Sequence, residues 1–362
     1  MNPPTPGLLS ILAEIVYYIS LALPIGIGMT VAMLAIPESR GGVVTGRLRP
    51  ALIPAAVVVG VAAASGFFNA VARATHTSIL GALRPETIGQ LITAPPSRGG
   101  TVGAGTIALA QVIGLALCVA GLVAMRRLRS RWVAAGVAAS ATVTAVLPSL
   151  PLSLSALKGF AHNGITIVHL LGALFWVGGL IALSIAGLLG RRRSAHEAAM
   201  RAADDWTQIW ERFSLVALYA VGAVFVSGVW LSWIHVGTVG QLFTTPYGRA
   251  LAVKLVLVLA LLAAGAYNVR VLIPNIRAAR CAGDSRSAFH LAAHHFPAVV
   301  SVEALVAVAV LAVVPFLHGS ARAAAGWPAA RAFDLTTFGA GVVLVTLTAA
   351  VLWLGNRTSA RG

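Results

Sequence analysis

Five of the nine histidines, His76, His162, His169, His235 and His318, are predicted to lie at or near one face of a membrane-embedded helical protein. Imidazole is a ligand suited to copper, zinc, iron or nickel. His169 is the most informative, because an ionisable side chain about 9 Å inside an apolar helix is costly and marks a functional site by default. The alternative is a neutral histidine that forms a hydrogen bond inside the bundle. We predict an outer metal site built on His169 and His162, with His235, His318 or His76 contributing.

The spacing of His162 and His169 limits how the two can act together. Residues seven apart share a helix face but stand about 10 Å apart along the axis. One ion with ligand bonds of ~2 Å cannot bind both unless the helix breaks, for which Asn163-Gly164 offers a place. Otherwise His162 is a ligand at the mouth and His169 an inner one.

Softer donors and one acid form a possible inner pathway. Met29 and Met33 are four residues apart and are predicted to share a helix face, and Cys118 lies in the inner half of another apolar run. Thioether and thiolate favour Cu(I), although methionine also commonly fills gaps between packed helices. Glu303 could relay protons, neutralise a passing cation or pair with an arginine at the inner face.

Apolar runs of about 20 residues, long enough to span a bilayer, position these side chains. Nine are found, at about 10–36, 51–72, 104–125, 132–150, 164–190, 212–234, 250–272, 298–317 and 335–355. The runs are continuous rather than alternating, which argues against a β-barrel. The chain is 58% hydrophobic and only 10% charged, which excludes a soluble globular protein. The predicted fold class is an all-α polytopic membrane protein with nine transmembrane helices.

The distribution of basic residues predicts the orientation. With the N-terminus outside, eighteen of the 26 Lys and Arg residues fall in the five inner segments. This is the bias expected of cytoplasmic loops, and it accounts for much of the net charge of +16. Because the charge is spread over separate segments, we predict no nucleic-acid partner.

An internal repeat divides the chain. Residues 87–98 and 238–249 are identical at seven of twelve positions, and each segment precedes an apolar run. The first and fifth runs also align, with Tyr17 matching His169 and Gly26 matching Gly178. An offset of four helices preserves orientation, which predicts two parallel four-helix repeats. The predicted domains are therefore 1–158, 159–320 and a C-terminal segment 321–362 that holds the ninth helix and a cytoplasmic tail.

Enzyme signatures are missing from the sequence. It contains no P-loop, no G-x-S-x-G elbow, no H-E-x-x-H and no C-x-x-C. We therefore expect no enzymatic activity. The residues alone leave a membrane protein that binds a metal or haem.

The predicted fifth to eighth helices carry motifs that, in combination, resemble the CopD/PcoD/YcnJ copper-resistance membrane family over about residues 160–318. The matching stretches are Phe175-Trp176-Val177-Gly178-Gly179, Arg212-Phe213-Ser214, Thr245-Pro246-Tyr247-Gly248-Arg249 with Lys254, Asn268 with Pro274, and Glu303. A methionine-rich outer segment and a fused copper-binding domain are not seen in the sequence.

The resemblance implies a copper-handling, multi-pass protein of the bacterial plasma (inner) membrane that imports copper. Its partners would be the lipid bilayer, the copper ion and an extracytoplasmic copper-binding protein. Two alternatives stay open. One is a b-type haem protein that transfers electrons, and the other is a copper-delivery or assembly partner that does not transport.

Overall fold

A computed structural model describes most of the chain. The described residues are 8–35, 42–78, 80–95, 102–150, 160–190, 196–272, 296–317, 319–328 and 343–348, with Pro274, Asn275 and Ala278. They form helices and no strand. Of the ninth predicted span, residues 343–348 are helical and the rest lies outside the described residues.

Eight long helices dominate the described part. They are α1 (Leu8–Met29), α3 (Leu52–Thr75), α5 (Ala104–Ala124), α6 (Arg131–Val146), α7 (Phe160–Gly190), α8 (His196–His235), α10 (Pro246–Tyr267) and α11 (Phe296–Val313). Three short helices lie between them, namely α2 (Val44–Leu48), α4 (Pro85–Thr93) and α9 (Gln241–Thr244), and a fourth, α12 (Ala321–Ala324), follows α11. π-helical turns extend α1 over Thr30–Leu34 and α10 over Asn268–Leu272.

The long helices are those predicted from the apolar runs. Eight segments of the described chain are long and apolar enough to cross a membrane: 11–34, 44–75, 104–124, 131–149, 163–189, 208–235, 246–267 and 298–316. The prediction of an all-α multi-pass membrane protein is therefore confirmed for the described residues, whereas the number of nine helices is not. The side that holds the start of α1 is called the outer side below, following the prediction from the basic residues.

The helices pack as two groups. In the first, α1, α3, α5 and α6 form a closed ring in which each helix contacts its two neighbours. In the second, α7 contacts α8 and α11, and α11 contacts α10, whereas α8 and α10 do not pack along each other within their described lengths. Within the described residues, the second group is therefore open on the side between α8 and α10.

A close contact between α1 and α7 joins the two groups. A Cβ atom on Gly26 would overlap the backbone of Gly178, and one on Gly178 would overlap the carbonyl of Ala22. The absence of side chains lets the two backbones touch. Gly26 and Gly178 are the residues that the repeat aligns, so equivalent positions meet at this interface. The division into domains itself stays a prediction.

Polar contacts tie the inner ends of both groups to α1 and α2. Arg131 of α6 donates to the carbonyl of Ala32, and Arg212 of α8 donates to the carbonyl of Leu34 at 3.2 Å. The carboxylate of Asp205, which is buried on α8, accepts the backbone N–H groups of Val43 and Val44 at 2.8 Å each. Cations at the end of α1 and an anion at the start of α2 match the helix dipoles.

Candidate metal-binding site

His169 lies in the outer half of α7 and faces α8. Its Nδ1 atom is 3.0 Å from the hydroxyl of Ser227. Gly228, the next residue of α8, leaves room for the ring, since a Cβ atom there would be 3.4 Å from Cε1 of His169. The Ser227-Gly228 pair therefore holds the imidazole between α7 and α8.

The hydrogen bonds of the Ser227 hydroxyl indicate which nitrogen of His169 carries the proton. Its single hydrogen is directed to the backbone carbonyl of Ala223, one turn earlier on α8. The oxygen is then left to accept, so Nδ1 of a neutral His169 carries the hydrogen and donates it. Nε2 keeps its lone pair. Metal-binding histidines are commonly oriented in this way, with one nitrogen held by an outer partner and the other directed at the metal.

Lys254 is a charged group that interacts electrostatically with this histidine. It lies on α10, within electrostatic range of the imidazole across the opening between α8 and α10. The side chain is half-buried.

His235 ends α8 at the outer side. Its Nδ1 atom is 2.7 Å from the carbonyl of Leu231, which can only accept, so Nδ1 carries the hydrogen and Nε2 of the neutral ring is again unprotonated. The ring stacks on Tyr247 of α10 with centroids 5.8 Å apart. His235 lies seven residues beyond Gly228, so it stands about 10 Å outward of the level at which His169 contacts α8.

The remaining predicted outer ligands are not brought to His169 by the described part of the structure. His76 is exposed and adopts a left-handed conformation (φ 51°) where α3 ends. His162 lies in the first turn of α7, but its side chain, and all of His318, fall outside the described residues. Within the described residues, no three His, Cys, Asp or Glu side chains form a group that could hold a metal ion.

The predicted inner donors do not converge. Met29 is buried among residues of α1, α7 and α8, whereas Met33 is 62% exposed. The two methionines therefore do not form one buried pair, since Met33 is exposed in the π-helical turn that ends the helix. Cys118 is buried in a different cluster, between α5 and α6, with its thiol 3.7 Å from the carbonyl of Val137.

Glu303, the fourth predicted inner residue, is buried on α11. Its Oε1 atom accepts a hydrogen bond of 2.7 Å from Nδ2 of Asn268, which begins the π-helical turn after α10. Asn268 is itself fully buried. This pair lies toward the inner side, at the opposite end of α10 from Tyr247 and Lys254.

Several motif residues have structural roles. A Cβ atom on Gly178 would meet α1, and one on Gly179 would overlap the ring of Phe213, so the two glycines accept α1 on one side and α8 on the other. Thr245 caps α10, since its hydroxyl accepts from the backbone N–H of Gly248. These motifs define the packing around the site rather than the ligands.

Sequence reasoning did not identify Ser227 as a partner of His169. Each repeat contains a Ser-Gly pair, Ser65-Gly66 and Ser227-Gly228, but the role of the second pair depends on the register between α7 and α8. In the first group, Ser65 instead donates to the carbonyl of Ala62 in its own helix, and Tyr17 accepts from Nε2 of Gln111. The two repeats therefore use the matching positions differently.

Part of the second group is similar to known proteins. Residues 207–317 match the family model CopD, described as Copper resistance protein D. The chain is also 36% identical over 104 residues to the Bacillus subtilis protein named Copper transport protein CutJ. That alignment covers 28% of this chain and 17% of the relative. No solved structure matches significantly. The resemblance to the CopD family is thus confirmed over residues 207–317, a segment that begins after His169.

Proposed function

We propose that this chain is a copper-handling protein of the bacterial plasma (inner) membrane that imports copper through an outer histidine site. The observation that carries the proposal is His169, an imidazole inside the helix bundle whose Nδ1–H is held by Ser227. Its unprotonated Nε2 suits copper. The CopD-like segment and the relative named for copper transport support copper as the ion carried.

In this proposal the ion is received at the mouth and then passed inward. The helices α7 and α8 are antiparallel neighbours, so seven residues outward from His169 and from Gly228 lead to His162 and His235 at one level. These two histidines, with His318 or His76 contributing, would take copper from an extracytoplasmic copper-binding protein. A step of about 10 Å then separates the mouth from His169.

Beyond His169 the described structure favours the second group as the route. Met29 and Glu303 both border it, whereas Cys118 lies in the core of the first group. Met33 faces outward and is not part of this route. The copper ion would pass along the opening between α8 and α10, next to His169 and Lys254, where the described helices are not closely packed.

A Cu(I) titration of the purified protein against a competing chelator tests the site, together with its visible spectrum. We expect the wild type to bind Cu(I), and His169→Ala to bind at least about tenfold more weakly, because a metal ligand is lost. Tyr17→Phe is the matched control, since Tyr17 occupies the same position in the first repeat. Equal affinity in the wild type and His169→Ala would remove this residue from the site.

The visible spectrum separates the haem alternative. Nε2 of His169 could equally ligate a haem iron, since an axial histidine is oriented by the same kind of hydrogen bond. A haem absorption band that disappears in His169→Ala would favour the electron-transfer protein. Copper binding without transport would favour the delivery partner.

A further inference from the structure

Asn268 and Glu303 form a buried polar pair toward the inner side of the second group, away from the histidines. The bond from Nδ2 of Asn268 to Oε1 of Glu303 is 2.7 Å, and Glu303 is only 3% exposed. Asn268 is fully buried, and its Oδ1 atom has no hydrogen-bond partner among the described residues. The pair is therefore a polar site with an unused acceptor inside an apolar surrounding.

No described positive charge compensates the carboxyl group. The helices α10, α7 and α1 pack against α11. On α10 and its extension, Tyr267 and Arg270 are exposed, and on α7 the nearby polar group is Ser184, which bonds to Ser301. The described titratable groups of α1 and α7 (Glu14, Tyr17, Tyr18 and His169) and Lys254 of α10 lie in the outer halves of their helices. A buried carboxylate with no cation beside it among the described residues is expensive, and binding a proton removes that charge.

The number of ligands favours a proton over a metal cation. Hard cations such as Ca²⁺ and Mg²⁺ take six or more oxygen ligands. The pair offers one carboxylate and one carboxamide oxygen. A proton needs only a single acceptor oxygen and a neighbouring acceptor to which the resulting O–H can point. We propose that Asn268 and Glu303 form a proton-binding site.

The carboxamide of Asn268 suits both states of this site. With Glu303 ionised, Nδ2–H donates to Oε1, as the structure has it. With Glu303 protonated, a half-turn of the amide puts Oδ1 in place of Nδ2, and the new O–H donates to it. One hydrogen bond is kept in each state, so the proton can enter from water and return to water without leaving the carboxyl group unpaired.

The location of the pair connects it to the proposed copper route. Asn268 begins a π-helical turn, a feature frequent at functional sites. It ends the same helix that carries Lys254 and Tyr247 beside the histidines. The link to copper rests on the proposed function, but the proton site itself does not, because it can be measured without any metal.

Infrared difference spectra between acidic and alkaline pH test the site, using the full chain in lipid nanodiscs without copper. We expect a protonated-carboxyl C=O band in the wild type that is lost in Glu303→Gln. Glu86→Gln, a change at an exposed acid in the outer helix α4, is the control and should keep the band. In Asn268→Ala the band should shift in frequency, because the hydrogen bond to the amide is gone.

Three results would overturn the proposal. They are a wild-type spectrum that Glu303→Gln leaves unchanged, a band that Asn268→Ala leaves at the same frequency, and a response to Na⁺ at constant pH that replaces the response to pH. If Glu303→Gln does not fold, the frequency in Asn268→Ala alone decides. A failure of copper transport leaves all three measurements intact, so the two proposals can fail separately.

Discussion

Ser227 is the residue on which the chemistry of His169 depends most directly. By accepting from Nδ1–H while donating to Ala223, it leaves Nε2 of the neutral ring with its lone pair. A lone histidine in a membrane helix can be a satisfied structural residue, but one that is held at a single nitrogen is oriented to bind something with the other.

Ser227→Ala should therefore weaken copper binding without removing the ligand. Loss of a residue that holds a metal ligand by a hydrogen bond typically lowers metal affinity about 10- to 100-fold. Ser65→Ala is the matched control, because Ser65 holds the equivalent position but bonds only within its own helix. Competition with a Cu(I) chelator measures both variants. Equal losses in the two would mean that Ser227 acts only on general stability.

For single residues, the sequence predicts which side chains are functional candidates better than it predicts which side chains contact each other. His169 could be chosen because its depth in an apolar run is unusual. Its partner could not, because contact with Ser227 depends on the register of two helices that are distant in sequence. Nor could the sequence show that Met29 is buried while Met33, four residues later, is exposed, because burial depends on the helices that pack against the end of α1.

At the scale of elements, the apolar runs predict the spans well because each one is continuous and about as long as the bilayer is thick. The helical segments outside these spans are harder to predict from the sequence. The helix α8 begins at His196, well before its membrane span, and its inner extension carries Asp205 to the start of α2. The short outer helices α4 and α9 lie between the predicted spans, where the apolar runs predict no element.

Asp205→Ala tests the value of this inner contact. The change leaves the backbone N–H groups of Val43 and Val44 without their acceptor, so we expect a loss of about 1–3 kcal/mol in the free energy of unfolding. Asp205→Asn keeps one acceptor oxygen and should lose less. Thermal unfolding in detergent measures this order. Identical melting temperatures for all three proteins would show that the contact contributes nothing.

For the whole molecule, the contact of Gly26 with Gly178 is the most informative packing feature. Two parallel repeats related by an axis near the membrane normal bring equivalent residues together at that axis. The sequence could align these glycines but could not show that they touch. The sequence also could not predict that the first group forms a ring while the described part of the second is open, because the repeat predicts equal packing in both.

Gly178→Ala should destabilise the protein through this contact. The added methyl group would overlap the carbonyl of Ala22, and overpacking of this kind costs about 1–3 kcal/mol. Gly136→Ala on α6 is the control, since open space surrounds a Cβ atom there and alanine favours the helix. Thermal unfolding compares them. A melting temperature for Gly178→Ala as high as that of the control would argue against close contact of α1 and α7.

We propose that copper crosses the membrane by way of His169. Copper flux into proteoliposomes is the measurement that tests this proposal. Purified wild type and His169→Ala are reconstituted in equal amounts, Cu(I) is added outside, and copper in the lumen is followed over time. We expect the wild type to accumulate copper at a saturable rate. His169→Ala should accumulate copper at least about tenfold more slowly, because a metal ligand is lost. Equal accumulation by the two proteins, or copper binding by the wild type without any accumulation, would contradict it.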